Sequence, residues 1–381
     1  MADDTPTLPL YEIPWLRLYP WLRLFHAPGA AADPKRLMLA ALGLILLHAG
    51  WSGLDHVWPV PDAGTRAVLV PWEPLAIRDL RAGTVLGLLA EPVRVLTAPF
   101  RVVLSPDADL LTFTHAALAA AWVLLIWGLI GGAIARVAAL DLARGERIGL
   151  GAAVRFAMRK APALLGSPML PLFGLAAVTA SLALFGLLYR LPGTFGTTAA
   201  GVLAFLPLLG GLVLAVVVVG LAAGWPLMHA AVAAEAEDGF DAMSRAYAYS
   251  RQRPWHYVLY VLLAAAAGGV GFVFIDLFAQ LVVALSRWGL SFGGPAGTVA
   301  ALYAEGKAVV PPAAVATHGF WLAAVGLLVH AWVYSYFWTV ATTIYLLLRR
   351  DVDATPFRVV ASNTPPGLLA EAAAQAAGKS G

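Results

Sequence analysis

Four polar side chains interrupt long apolar runs of the sequence and are of the types that bind or relay a cation. Asp276 and Gln280 stand one helical turn apart, and so do His330 and Tyr334 further along the chain. A carboxylate near an imidazole is typical of proton- or cation-coupled pathways, because such groups are costly in lipid unless they are paired or hydrated. These four residues form the predicted intramembrane polar site. The alternative is structural, with Asp276 near the headgroups and bound to Arg287.

A second group of ionisable side chains has the residue types of a metal site. It consists of His229, Glu235, Glu237, Asp238 and Asp241. The spacing matches no established ligand pattern, and acids are expected near the first turn of a helix, where they interact favourably with the helix dipole. We therefore predict capping and surface solvation here, with Asp238 as an N-cap, and no metal site. We also predict no cofactor and no catalytic residue, because the sequence lacks cysteine, a phosphate-binding glycine loop, a nucleophile elbow and HExxH.

The composition shows what must position these side chains. Of the 381 residues, 60% are apolar and 12% are charged, and the mean hydropathy is +0.78. Soluble domains carry roughly a quarter charged residues, so the apolar excess does not fit inside a soluble core. Disorder, coiled coil and nucleic-acid binding are excluded because each needs polar or charged sequence that is absent. The composition indicates a multi-span membrane protein.

Six apolar stretches are long enough to cross a bilayer, which takes about 20 residues. They are 37–58, 112–138, 166–189, 201–224, 255–285 and 319–348. The predicted fold class is an all-α, polytopic membrane helix bundle of six transmembrane helices plus interfacial amphipathic helices. The spanning domain is predicted to cover 37–350, between an interfacial N-terminal segment, 1–36, and a flexible tail, 351–381.

The distribution of basic residues predicts the orientation of the spans. With the N-terminus inside, 17 of the 25 Lys and Arg residues fall on the cytoplasmic side and eight on the other. Basic residues are enriched in cytoplasmic loops. We therefore predict a protein of the inner membrane with both termini in the cytoplasm.

The outer loop at 59–111 is the largest connection between spans. Its middle is apolar but is interrupted by Glu91, Pro92, Arg94, Pro99 and Arg101. Buried charges and a broken backbone are costly in lipid, so a seventh span is not predicted. Two arrangements stay open, a lid on the membrane surface and a re-entrant helix pair that lines a path for a substrate.

Small residues indicate where helices pack closely in lipid. GxxxG pairs occur in the second and fourth spans, and a run of alanine and glycine occurs in the fifth. The residues concerned are Gly128, Gly132, Gly220, Gly224, Gly268 and Gly271. Packing within one bundle is the first interpretation, and a homodimer or another membrane-protein partner is the alternative.

Two cytoplasmic connections contain short amphipathic helices that end at Pro162 and Pro254. In the second, Asp241 and Arg245 are spaced i,i+4 with the acid first, the favourable order. Phe240, Met243 and Tyr247 share the opposite face. We predict an interfacial helix over 239–253 with its basic side toward anionic lipid headgroups. The interfacial residues are Asp241, Arg245, Arg251 and Arg253.

Three stretches, 127–143, 224–260 and 345–357, give the chain a resemblance to an uncharacterised family of multi-pass bacterial inner-membrane proteins. The resemblance implies a membrane topology and no assigned reaction. Three classes of function remain from the residues. A non-enzymatic membrane scaffold or assembly component needs only spans, interfacial helices and close helix packing, so it ranks first. A small-solute or ion transporter that uses Asp276 and His330 ranks second, and a lipid-modifying enzyme with polar groups at 229–253 ranks third.

Overall fold

Six long helices form the molecule in a computed structural model that describes residues 15–60, 81–192, 194–303 and 310–361. They are α1 (Pro34–Val57), α2 (Leu110–Arg144), α3 (Ala161–Gly186), α4 (Phe205–Glu235), α5 (Pro254–Leu290) and α6 (Pro312–Asp353). Each is long and apolar enough to cross a membrane. The described residues form no strand. The predicted all-α, six-span membrane bundle is confirmed, and the chain is a multi-pass membrane protein.

Short helices precede the first long helix and connect the others. They are Trp15–Leu18, Pro20–His26, Ala27–Ala31, Ala82–Leu89, Glu91–Val103, Leu150–Arg159, Leu187–Arg190, Phe195–Val202, Gly239–Gln252 and Ala296–Leu302. The predicted interfacial helix at 239–253 corresponds to Gly239–Gln252, and Asp238 caps it by accepting from the Asp241 N–H at 2.9 Å. Parts of three predicted segments, 1–14, 61–80 and 362–381, lie outside the described residues.

Each long helix extends beyond its predicted bounds at one end or at both, most clearly α4 at its C-terminal end. Its span was predicted to end at Gly224, but the helix continues through Pro226 to Glu235. Proline is tolerated inside transmembrane helices because neighbouring groups satisfy the freed backbone carbonyl. The helix ends where Ala236 takes a left-handed conformation with φ of 56°.

Side-chain contacts show that successive long helices alternate in direction. Arg36 at the start of α1 binds Asp141 near the end of α2. Glu235 at the end of α4 lies 3.3 Å from Arg349 near the end of α6. Near the end of α2, Arg136 donates to the Ala233 carbonyl near the end of α4. The start of α1 and the ends of α2, α4 and α6 therefore lie at one end of the bundle, which we call the basic end.

The most apolar span is the least buried. None of the most apolar stretch of α4 is buried, whereas more than half of that of α2 is. Leu208 and Val219 of α4 are 74% and 68% exposed. In a soluble protein so apolar a helix would be buried in the core, because exposed apolar surface is unfavourable in water. Its exposure therefore fits a surface that faces lipid.

Part of the N-terminal segment packs into the bundle, and the predicted position of the segment in the headgroup layer stays a prediction. Leu24, Ala27 and Ala31 are fully buried. The Pro28 and Ala31 carbonyls accept from Trp332 and Ser335 of α6. These backbone carbonyls give two buried donors of α6 their partners, while Trp15, Leu18 and Phe25 of the same segment stay at least half exposed.

The helix Glu91–Val103, which we call the inserted helix, also enters the bundle. It packs along α2, and its preceding helix, Ala82–Leu89, packs against α5. Val95 and Leu96 are buried, and so is the carboxylate of Glu91. Of the two arrangements left open for the outer loop, this geometry favours the re-entrant pair.

Five of the six predicted packing glycines lie against side chains of this same chain. A Cβ atom would overlap Leu165 at Gly128, Leu164 at Gly132, Tyr247 at Gly220, Tyr336 at Gly268 and Pro28 at Gly271. At Gly224 a Cβ would make ordinary contacts of 3.7 Å. The structure thus uses these positions for packing inside one bundle.

Gly268→Ala is expected to destabilise the bundle by about 1–3 kcal/mol, the usual cost of overpacking. The new methyl would overlap the ring of Tyr336, which cannot move freely because its hydroxyl donates to the Ala264 carbonyl at 2.6 Å and its ring stacks on Trp332. Gly269→Ala is the matched control, since its methyl would meet only Val85 at 3.7 Å. Thermal unfolding in detergent measures both. Equal stability of the two variants would contradict the packing described.

Candidate functional site

The predicted polar residues of α5 and α6 have other partners and do not pair with each other. Asp276 is fully buried, and one of its carboxylate oxygens accepts from Gln280 Nε2 at 2.5 Å. His330 of α6 lies with its Nδ1 3.6 Å from Oε2 of Glu91. Arg287 cannot reach Asp276, because α5 is continuous and 11 residues separate them by about 16 Å along the axis.

Glu91 also belongs to this polar cluster. The sequence indicated Glu91 only as one of the interruptions in the outer loop. Its side chain is 1% exposed. His330 and Tyr334 of α6 flank it. A carboxylate buried in this way is costly unless it is paired or neutralised. We call Glu91, His330 and Tyr334 the outer cluster, after the predicted outer loop that contains Glu91. His330 lies about 28 Å along α6 from Arg349, which is close to the thickness of a bilayer core.

A cavity of about 280 Å³, which we call the first cavity, lies between the inserted helix, α2, α3, α4 and α6. Its lining is almost wholly apolar. The lining includes Val93, Trp127, Val218, Ala222, His229 and Trp338. Val218 is 47% exposed on the surface of α4, so the rim of the cavity lies on the lipid-facing surface.

A second cavity, of about 360 Å³, lies on the other side of Trp225 between Ala82–Leu89, α4, α5 and α6. Val93, Ala222 and Trp225 line both cavities. The Trp225 ring contacts Phe337 and Trp338 with centroids 5.4 and 5.5 Å apart. Both cavities suit an apolar occupant, and the inserted helix contributes to the wall of each.

Two acids of the cluster at 235–241 form ion pairs and hydrogen bonds with other side chains. The carboxylate of Glu235 binds Arg245, Arg349 and the Tyr345 hydroxyl. Arg245 also binds Glu237, so its contacts lie with these two acids. Partial burial raises the pKa of the Glu237 carboxyl, and the charge of Glu235 adds to the rise. Because these acids and arginines pair with one another, the region has the chemistry of a structural clamp.

Further polar contacts at the basic end join the last turns of α6 to neighbouring helices. Tyr260 donates to Asp351 at 2.6 Å, and Tyr249 donates to Asp353. Burial and this hydrogen bond raise the pKa of Tyr249. Arg136, fully buried, donates to the Ala233 and Ala361 carbonyls at 2.7 Å. The chain after α6 is thereby fixed across the basic end.

The remaining predicted interfacial residues lie at the surface. Asp241, Arg251 and Arg253 are exposed, whereas Arg245 is part of the clamp. Among the described residues, no three His, Asp or Glu side chains come close enough to hold a metal ion.

No protein-family model, no curated protein and no solved structure matches the chain.

Proposed function

We propose that this multi-pass membrane protein is a non-enzymatic scaffold whose bundle holds an apolar, lipid-like molecule in the first cavity. The cavity itself carries the proposal. Its 280 Å³ is near the lower end of the range for small-molecule sites, its lining is apolar, and its rim lies on the lipid-facing surface. A molecule dissolved in the bilayer can reach such a cavity without crossing water.

The proposed location is a bacterial inner membrane with both termini in the cytoplasm. The 17-to-8 distribution of basic residues supports this orientation, since it places the basic end on the cytoplasmic side. Exposed arginines there, Arg155, Arg159, Arg251 and Arg253, would contact anionic headgroups. The resemblance to bacterial inner-membrane proteins agrees with this location. A homodimer or a membrane-protein partner stays a prediction.

A photoreactive fatty acid with a diazirine on its chain tests occupancy of the cavity. Reconstituted wild-type protein is expected to carry adducts at the cavity, on residues such as Val218 and Ala222. Ala222→Phe fills space shared by both cavities and should remove these adducts. Peptide mass spectrometry locates and counts the label.

Leu212→Phe is the matched control, because Leu212 is 60% exposed on the lipid-facing side of the same helix. This variant should keep the cavity adducts. Labelling of exposed residues by surrounding lipid should be equal in all three proteins. Adducts distributed evenly over the exposed surface of the wild type, with none at the cavity, would refute the proposal.

A second candidate function, ion or solute transport, is favoured by one observation. The outer cluster places a buried carboxylate against an imidazole, and such groups in membrane helices commonly mark ion and proton pathways. In this form of the hypothesis Glu91 joins His330 in the pathway, and Asp276 with Gln280 forms a separate polar pair on α5. The apolar lining of the two cavities argues for ranking this function second.

A further inference from the structure

One face of the inserted helix forms a wall of the first cavity. The lining residues of this helix recur every three or four positions, as one side of a helix requires, and are Val93, Leu96, Thr97, Phe100, Arg101 and Leu104. From Val93 to Leu104 the wall extends about 16 Å. A cavity of about 280 Å³ that follows a wall of this length is narrow and elongated. Such a shape suits a single extended apolar chain.

The two ends of this cavity lie at different depths in the bundle. His229 lies six residues before the end of α4 at Glu235, so its part of the lining is near the basic end. Arg101 stands in the last turn of the inserted helix, a few residues before α2 begins at Leu110. Because α2 ends at the basic end, its start lies at the opposite end. Arg101 therefore lines the part of the cavity that is far from the basic end.

Arg101 brings a positive charge to a lining that is otherwise apolar or uncharged. Among the described residues that line this cavity, it is the one Arg, Lys, Asp or Glu. Arg101 is exposed, and Leu104 beside it is 52% exposed, so this part of the cavity opens to the surface. The hydroxyl of Thr97 on the same face donates to the Val93 carbonyl at 2.7 Å within its own helix. Arg101 is thus the accessible group that can bind a charged ligand here.

The guanidinium of Arg101 makes no ion pair and no hydrogen bond with the described part of the chain. By contrast, Arg36, Arg245 and Arg349 pair with acids of the bundle. A guanidinium presents five N–H donors in a planar fork that fits the oxygens of a carboxylate or a phosphate. At the opening of an apolar cavity, these unused donors are suited to an anionic headgroup.

We infer that the first cavity binds an amphiphile with one apolar chain and an anionic headgroup, whose carboxylate or phosphate oxygens accept from the Arg101 guanidinium while the chain extends toward His229. The inference rests on the proposed function and names the ligand's chemistry. A fatty acid and a monoalkyl phosphate share this chemistry. An alcohol of the same chain length lacks the charge, although its chain fills the same volume.

Competition against the photoreactive fatty acid tests the inference. The competitors are palmitic acid, hexadecyl phosphate and hexadecanol at equal mole fraction in proteoliposomes, and the readout is loss of cavity adducts in the full-length protein. The two anionic compounds are expected to compete about three- to tenfold better than hexadecanol. A charge-assisted hydrogen bond is strong, but solvent at an exposed arginine weakens it. The stronger anionic competitor distinguishes a carboxylate ligand from a phosphate ligand.

Arg101→Gln removes the charge at an exposed position, so its thermal stability in detergent should equal that of the wild type. It should bind hexadecanol as the wild type does and lose the preference for the anionic compounds. Arg101→Lys keeps the charge without the planar fork and should keep part of the preference. Arg190→Gln is the matched control, because Arg190 is also exposed in the last turn of a short helix, Leu187–Arg190, and does not line the cavity.

The outcomes separate the inference from the proposed function. An anionic preference in the wild type that is lost in Arg101→Gln and kept in Arg190→Gln supports the inference. Equal competition by hexadecanol in the wild type overturns it and leaves the proposed apolar site intact. A preference that survives in Arg101→Gln, or that falls equally in Arg190→Gln, also overturns it. An absence of cavity adducts in the wild type overturns the proposed function, and this inference with it.

Discussion

Glu235→Ala is expected to lower the free energy of unfolding by about 3–5 kcal/mol, the usual cost of removing one partner of a buried ion pair. Glu235 ends α4, and its carboxylate binds Arg245 of the helix after it and Arg349 and Tyr345 of α6. The Arg349 side chain is 3% exposed. Without Glu235, its charge would stay buried with a backbone carbonyl as its acceptor.

Thermal and SDS-induced unfolding of the purified protein measure this loss. Glu146→Ala is the control, because Glu146 is 53% exposed and its Oε1 lies 3.5 Å from Nη1 of Arg144. An exposed pair of this kind is worth about 0–1 kcal/mol. A loss at Glu235 no larger than at Glu146 would show that the clamp does not hold the bundle together. The double variant Glu235→Leu, Arg349→Met should recover much of the stability, since it removes both charges.

The sequence predicts the helices of this molecule well because the bilayer imposes their length and apolarity. All six predicted spans overlap a long helix, and the interfacial helix before Pro254 begins at its predicted N-cap, Asp238. These features depend on residues within a few turns of one another. Local composition and capping chemistry are sufficient to specify them.

Partners of the charged side chains depend on contacts between distant segments, and there local rules fail. The i,i+4 rule selects Asp241 as the partner of Arg245, yet Arg245 binds Glu235 and Glu237. The left-handed Ala236 turns the chain so that the end of α4 faces the next helix. Alanine rarely takes this conformation, so the sequence contains no signal for the turn.

The outer cluster escaped prediction for a related reason. Glu91 stands in a segment too interrupted to be a span, and proximity to His330 requires the inserted helix to enter the bundle. The available signal was the acid itself within an apolar stretch, because an intramembrane ionisable residue is a candidate functional residue by default.

His330→Ala is expected to cost about 1–3 kcal/mol of stability, the usual cost of leaving a buried polar group without its partner, since it removes the imidazole beside the buried Glu91 carboxyl group. His330→Ala combined with Glu91→Gln removes the stranded charge and should regain about half of the loss. The energy of interaction follows from this double-mutant cycle. His56→Ala, at an exposed position in the last turn of α1, controls for loss of a histidine as such.

Glu91→Gln alone then separates the two candidate functions, because it removes the charge and nearly keeps the shape of the side chain. Transport through the outer cluster requires a proton flux in proteoliposomes, read by a pH-sensitive dye, that this variant loses while its thermal stability is unchanged. A wild type without flux, together with a large interaction energy between Glu91 and His330, would assign the pair to holding the inserted helix in place. In that case the pair fixes the wall of the first cavity, since Val93 lies two residues beyond Glu91 on the same helix. Additive effects of the two substitutions would show that the acid and the imidazole act independently, and would remove the outer cluster from both functions.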